Sequence, residues 1–173
     1  MTAVLTSGAL LALGSEASAS SGCDGWMMSM PNAGFEEPAD GTPVPGWCTE
    51  GPDLKGVDRG IGWSRSGAGD VFIEAASTGQ WNAVAQHVVV PPGRTVELSA
   101  YVWTSTYVTA GYFGVRDATG KVFSEIRFGP LDGYHRLAVR FSSGASSDYI
   151  AFVGFWSSGP SWLVADDFVT TLP

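Results

Sequence analysis

From about residue 71 the chain alternates between apolar and polar positions. Leu98, Ala100 and Val102 take turns with Ser99, Tyr101 and Trp103, and Leu137, Val139 and Phe141 take turns with Arg136, Ala138 and Arg140. A period of two sends one set to a buried face and the other to a wet face, which predicts strands. Val84, Gln86, Val88 and Val90 alternate with Ala83, Ala85, His87 and Val89 until Pro91-Pro92-Gly93-Arg94 breaks the run. Val71-Phe72-Ile73 predicts a short strand. Phe113 and Val115 predict another, and Asp117-Ala118-Thr119-Gly120 predicts a hairpin turn into a strand over 122–128. Residues 149–156 are apolar on both faces, which predicts a strand covered on both sides, and 162–172 predicts the last strand. Upstream, 23–52 is rich in Gly and Pro, with strand-like pieces around Phe35 and Trp47. No segment sustains a 3.6-residue period and no linker divides the chain. The pattern is that of one all-β domain, a sandwich or a barrel.

Composition supports this reading. Charged residues are only 15% of the 173, whereas a helical protein would carry more Glu, Lys and Arg on its exposed faces. The 23 Gly and 10 Pro supply the turns that short strands need. A net charge of −8, with only 9 scattered Lys and Arg, excludes a basic stripe for nucleic acid or an anionic membrane surface.

The first residues read differently. A short apolar run, Ala-Leu-Leu-Ala-Leu at 9–13, is followed by Ala17-Ser18-Ala19, an A-x-A cleavage pattern. The run is too short to span a bilayer. Residues 1–19 are therefore expected to be a signal peptide, and 20–173 the secreted domain. A disordered cytosolic tail and a lipobox-like Ser20-Ser21-Gly22-Cys23 stand as alternatives. In an exported chain the two cysteines, Cys23 and Cys48, suggest one disulfide, worth about 3 kcal/mol on loop-entropy grounds. Two buried thiols are the alternative.

Several segments together resemble the jelly-roll carbohydrate-binding modules of bacterial polysaccharide-degrading enzymes, within the galactose-binding-like sandwich group. They are Asn32-Ala33-Gly34-Phe35-Glu36 with Gly46-Trp47, then Gln86-His87-Val88-Val89-Val90-Pro91-Pro92-Gly93 and Leu98-Ser99-Ala100-Tyr101-Val102. Gly114-Val115-Arg116-Asp117 follows, then Val153-Gly154-Phe155-Trp156, Trp162 and Asp166-Asp167-Phe168. The resemblance runs from about residue 32 to 172. It implies a two-sheet antiparallel jelly roll and polysaccharide binding, although this fold hosts other functions. It also implies a structural calcium joining the first strand to the last, and the matching residues are Glu36 and Asp166.

Catalytic signatures are weak. Gly62-Trp63-Ser64-Arg65-Ser66-Gly67 is one residue off a nucleophile elbow and lacks a following helical pattern. His87 and His135 read as strand histidines. The adjacent pairs Glu36-Glu37 and Asp166-Asp167 should point to opposite faces of a strand, unlike a glycosidase pair. No Cys/His cluster has zinc spacing.

The expected function is non-catalytic polysaccharide or oligosaccharide binding. A secreted protein-binding or inhibitor domain is the main alternative, and a hydrolase or lyase a third. The candidate binding residues point away from the predicted core: Tyr101, Trp103, Tyr112, Arg116, Arg136 and Arg140, with Trp81 and Trp156 at the rim. They form one surface if their strands share a sheet.

Overall fold

The computed structural model describes residues 28–38, 41–76 and 78–173. The expected leader, 1–19, and Cys23 of the expected disulfide lie outside the described residues. The described residues form ten strands: β1 (Cys48–Glu50), β2 (Leu54–Arg59), β3 (Gly69–Ala75), β4 (Thr78–Val89), β5 (Thr95–Thr104), β6 (Gly111–Arg116), β7 (Val122–Phe128), β8 (His135–Ser142), β9 (Asp148–Ser158) and β10 (Ser161–Thr171). Two antiparallel five-stranded sheets result, ordered β1-β4-β9-β6-β7 and β2-β3-β10-β5-β8. Their inner faces close on one apolar core, a β-sandwich. Among the described residues no helix is long and apolar enough to cross a membrane.

The alternation does what the pattern predicts. Val96, Leu98, Ala100 and Val102 of β5 and Leu137, Val139 and Phe141 of β8 face inward, against Val84, Val88, Phe113, Val115, Val153 and Phe155 of the other sheet.

One expectation changes, and one strand was not foreseen. Phe35 is not in a strand. It sits in a turn at φ 56° and is fully buried, with its ring 5.2 Å from Trp47 and 6.0 Å from Phe168. The phenylalanine plugs the space between the sheets instead of pairing. Strand β2 carries no clear apolar alternation, yet it pairs with β3 along its whole length. Lys55 points inward there, with Nζ donating to the carbonyls of Gly51 and Asp53 and to Asn82 Oδ1 at 2.7 Å, and burial pulls its pKa down. By contrast, β9 is covered on both faces as expected, Tyr149 to Phe155 being buried apart from the half-buried Ile150, and it opens near its end, where Trp156 is 50% exposed.

Partition between sheets matters most for function. β5 and β8 belong to the second sheet, and β4, β6 and β9 to the first. The single surface expected from the sequence is therefore two surfaces on opposite sides of the sandwich.

Candidate functional site

On the outer face of the first sheet, register sets small residues side by side. Ala83 of β4 pairs with Gly154 of β9, and Gly154 pairs with Tyr112 of β6. One position along, Phe152 lies between Ala85 and Gly114. A Cβ on Gly154 would come within 2.5 Å of the Ala83 Cβ, so close approach of the strands requires glycine there. The floor is low, and large rings stand around it. The Trp81 ring lies 5.8 Å from Trp156, 6.2 Å from Tyr112 and 6.2 Å from Phe152. Trp81 and Trp156 are themselves register partners.

Polar groups fix this face. Glu50 of β1 accepts from Trp81 Nε1 at 2.8 Å and pairs with Arg116, whose guanidinium also lies 5.0 Å from the centre of the Phe152 ring. The result is a shallow cleft of about 360 Å³ lined by Trp81, Tyr112, Arg116, Phe152, Trp156 and Glu125. Flat rings with a carboxylate and a guanidinium beside them can stack on an apolar ligand face while bonding its hydroxyls.

The remaining predicted residues lie on the second sheet's outer face. Tyr101 is roofed by Arg65, whose guanidinium sits 3.6 Å from the ring centre. Trp103 packs against Trp63, Trp162 and Tyr134 at 5.5, 5.2 and 5.9 Å. The loop between β2 and β3 thus covers part of this face. Arg136 and Arg140 both bond Glu97, at 2.7 and 2.8 Å, which occupies them and holds Glu97 below the usual carboxylate range.

The same loop receives the carboxylates expected to hold calcium. Glu36 Oε1 accepts from the N–H groups of Ala68 and Gly69, and Asp166 Oδ2 from those of Arg65 and Ser66. The opposite-face expectation fails for Asp166 and Asp167. Asp167 adopts φ 53° where the β10–β5 register shifts, and it too reaches the loop, bonding Arg65 and Ser66. Glu36 and Asp166 are hard oxygen donors of the right type for calcium and converge on one loop. Two carboxylates are fewer than the six to eight oxygens calcium takes, so carbonyls would supply the rest. No group of three or more His, Cys, Asp or Glu with metal-holding geometry occurs among the described residues.

Each histidine meets an exposed aspartate, His87 with Asp148 at 3.1 Å and His135 with Asp132 at 3.0 Å. Ser64 lies in a loop and bonds Gly67, with no helix after it. Beneath the loop lies a buried acid, Asp70. It accepts from the Tyr134 hydroxyl at 3.2 Å, its Oδ1 has no hydrogen-bond partner among the described residues, and burial raises its pKa to about 6.

Of the residues singled out in the sequence, the structure brings Trp81, Tyr112, Arg116 and Trp156 together in this cleft, and it adds Phe152, Glu50 and Glu125, which the sequence did not single out. Phe152, Gly154 and Trp156 at steps of two were a legible sign of a one-faced aromatic strand. Glu50 was not legible, because β1 is only three residues long.

No protein-family model matches the chain, and no curated protein does. Solved structures match over most of it. A family 61 carbohydrate-binding module, TmCBM61, in complex with β-1,4-galactotriose aligns with TM-score 0.64 at 18% identity, over 83% of this chain and 97% of that one. The CBM22-1 xylan-binding domain of Paenibacillus barcinonensis Xyn10C gives 0.57 at 20% identity, over 81% and 91%. The K1 cleaved adhesin domain of Lys-gingipain from Porphyromonas gingivalis W83 gives 0.55 at 15% identity, over 73% and 90%. Together with the strand order and the closed core, these likenesses place the chain in the jelly-roll β-sandwich fold that carbohydrate-binding modules share.

Proposed function

We propose that the protein binds polysaccharide without cleaving it, through the outer face of the first sheet. One observation carries this reading: Trp81, Tyr112 and Trp156 stand around a floor of Ala83 and Gly154, with Arg116 and Glu50 fixed beside them. Aromatic rings clustered at an open surface mark a binding site. A pyranose ring has an apolar face for the indoles and hydroxyls for the charged pair. The family 61 and family 22 modules of similar fold bind galactotriose and xylan, which makes neutral β-linked chains the first ligands to try.

Trp156→Ala is expected to weaken binding of β-1,4-galactan or xylan fragments at least tenfold, equivalent to about 1.4 kcal/mol. Melting temperature should change little, because half of the side chain is already exposed. Calorimetric titration beside a thermal melt checks both. Unchanged affinity in the variant would remove this face from the function.

Calcium held by Glu36 and Asp166 belongs to the same proposal, in a structural role. If it binds only the folded state, adding calcium to chelator-treated protein raises the melting temperature by mass action. Identical melts with calcium and with chelator would discard it. Export with cleavage after Ala19 and a Cys23–Cys48 disulfide are carried as part of the same reading. Intact mass of protein recovered from the medium, with and without reductant, checks both.

A further inference from the structure

The second sheet has a larger cleft at its edge, about 1120 Å³, just above the usual range for small-molecule sites of about 300–1,000 Å³. Its walls are Trp103 and Trp162, with Leu54 and Tyr107 at the mouth. The Trp162 ring packs edge-on against Trp103 at 5.2 Å, and Trp63, 44% exposed, lies 5.6 Å from Trp162. Tyr107 is 66% exposed. Glu74, the register partner of both Leu54 and Trp162, is exposed. Asp53 and Asp132 also line the cleft, and no Lys, Arg or His does.

We infer that this cleft is a second saccharide site, which takes neutral or amino sugars and rejects acidic ones, so that one domain can hold two glycan chains. The inference rests on the binding function proposed above and adds a face and a charge selectivity to it. Indole and phenol rings beside hydroxyl and carboxylate acceptors are the same chemistry as on the first sheet. The difference is electrostatic. Arg116 stands in the first cleft, whereas the second is lined by three carboxylates and by no Lys, Arg or His; His135 meets Asp132 at 3.0 Å and Lys55 lies beside Asp53, which leaves Glu74 as the carboxylate that carries the selectivity. A uronate would meet Glu74 with no cation in the cleft lining to pair with it, and a protonated amino sugar would meet Glu74 and two indole faces. The outer faces are separated by two sheets stacked about 10 Å apart, so no single sugar ring can touch both. Trp156 and Trp162 flank the turn that carries the chain from β9 in one sheet to β10 in the other.

The test titrates wild type, Trp156→Ala and Trp162→Ala with β-1,4-linked trisaccharides of galactose, xylose and glucosamine, and with trigalacturonate. Wild type should take two equivalents of a neutral or amino trisaccharide, and each variant one. In Trp156→Ala the remaining site should bind trigalacturonate at least tenfold more weakly than its best trisaccharide. Wild type should also cloud a solution of long chains by bridging them, and both variants should lose that. If Trp162→Ala fails to fold, Tyr107→Ala at the exposed mouth replaces it and should weaken the same site severalfold. One equivalent in wild type, abolished by Trp156→Ala and untouched by Trp162→Ala and Tyr107→Ala, overturns the second site and leaves the proposed function standing. One equivalent lost only in Trp162→Ala overturns the two-face inference and also moves the proposed function off the first sheet. No uptake of any trisaccharide overturns both.

Discussion

Replacing Phe35 with alanine is expected to cost the fold about 3–5 kcal/mol, as removal of a buried Phe side chain usually does. The ring is fully buried between the sheets, against Trp47 and Phe168, and those two rings lie 4.6 Å apart. Phe113 extends the cluster, 6.1 Å from Phe168. Alanine would leave a cavity walled by rigid indole and phenyl groups, which collapse poorly into empty space. The backbone around Phe35 is tied down as well. Its N–H bonds the Asn32 carbonyl, and Ala33 accepts from the Phe168 N–H, joining this turn to the last strand. The turn cannot follow the missing side chain inward without breaking those bonds. At about 2–4 °C per kcal/mol for a domain of this size, the melting temperature should fall by about 6–20 °C. Urea unfolding followed by tryptophan fluorescence checks this, and a midpoint within the error of wild type would show that the cluster is not the keystone. Phe35→Leu should lose clearly less, because it refills much of the volume.

That cluster shows how far a sequence can be read. Phe35, Trp47 and Phe168 were visible as members of a motif, and the strands from β3 onward were visible as alternation. Alternation records which way a side chain points relative to its own strand. It does not record which sheet the strand joins, because in this topology β5 and β6 are consecutive in the chain yet lie in opposite sheets. Tyr101 and Tyr112 were both correctly read as facing away from the core, and they point away from it in opposite directions. The loop at 60–68 was equally opaque. Its place is set by Glu36 and Asp166, 32 and 100 or more residues away: Glu36 accepts from Ala68 and from Gly69 at the start of β3, and Asp166 from Arg65 and Ser66. Strand β2 escaped because Lys55, Gly56 and Asp58 have poor strand propensity. Pairing with β3 overrides that, and Gly56 is needed because a Cβ there would lie 2.7 Å from the Phe72 ring.

The domain should become less stable as pH rises from about 4 to 6, the reverse of ordinary acid denaturation. Asp70 and Asp166 are both fully buried, and burial is the main cause that raises each pKa from 3.8 to about 6. Below about pH 4 either carboxyl is neutral in the folded and the unfolded chain, and no charge is buried. Above about pH 6 it is ionised in both, and the folded state carries the full cost of a buried anion. Between those limits the folded state binds more protons than the unfolded one, so stability falls with rising pH. A shift of this size corresponds to about 3 kcal/mol for one carboxyl. The two groups sense each other's charge, so their losses do not simply add. Asp166 has compensation, since its oxygens accept from the N–H groups of Arg65, Ser66 and Asp167. Asp70 has the Tyr134 hydroxyl on one oxygen and, among the described residues, no partner on the other, so it should carry most of the slope. Glu97, Asp117 and Asp132, all held below their usual range, oppose the trend from the surface, where solvent screens them. Thermal melts of chelator-treated protein between pH 4 and pH 7.5 should show a higher midpoint near pH 4.5 than near pH 7. Asp70→Asn, which keeps an acceptor for Tyr134 but cannot ionise, should flatten the profile and leave the variant more stable than wild type at pH 7. A wild-type midpoint that rises steadily with pH over this range would mean that Asp70 is ionised at little cost, with a counter-charge or water on its second oxygen.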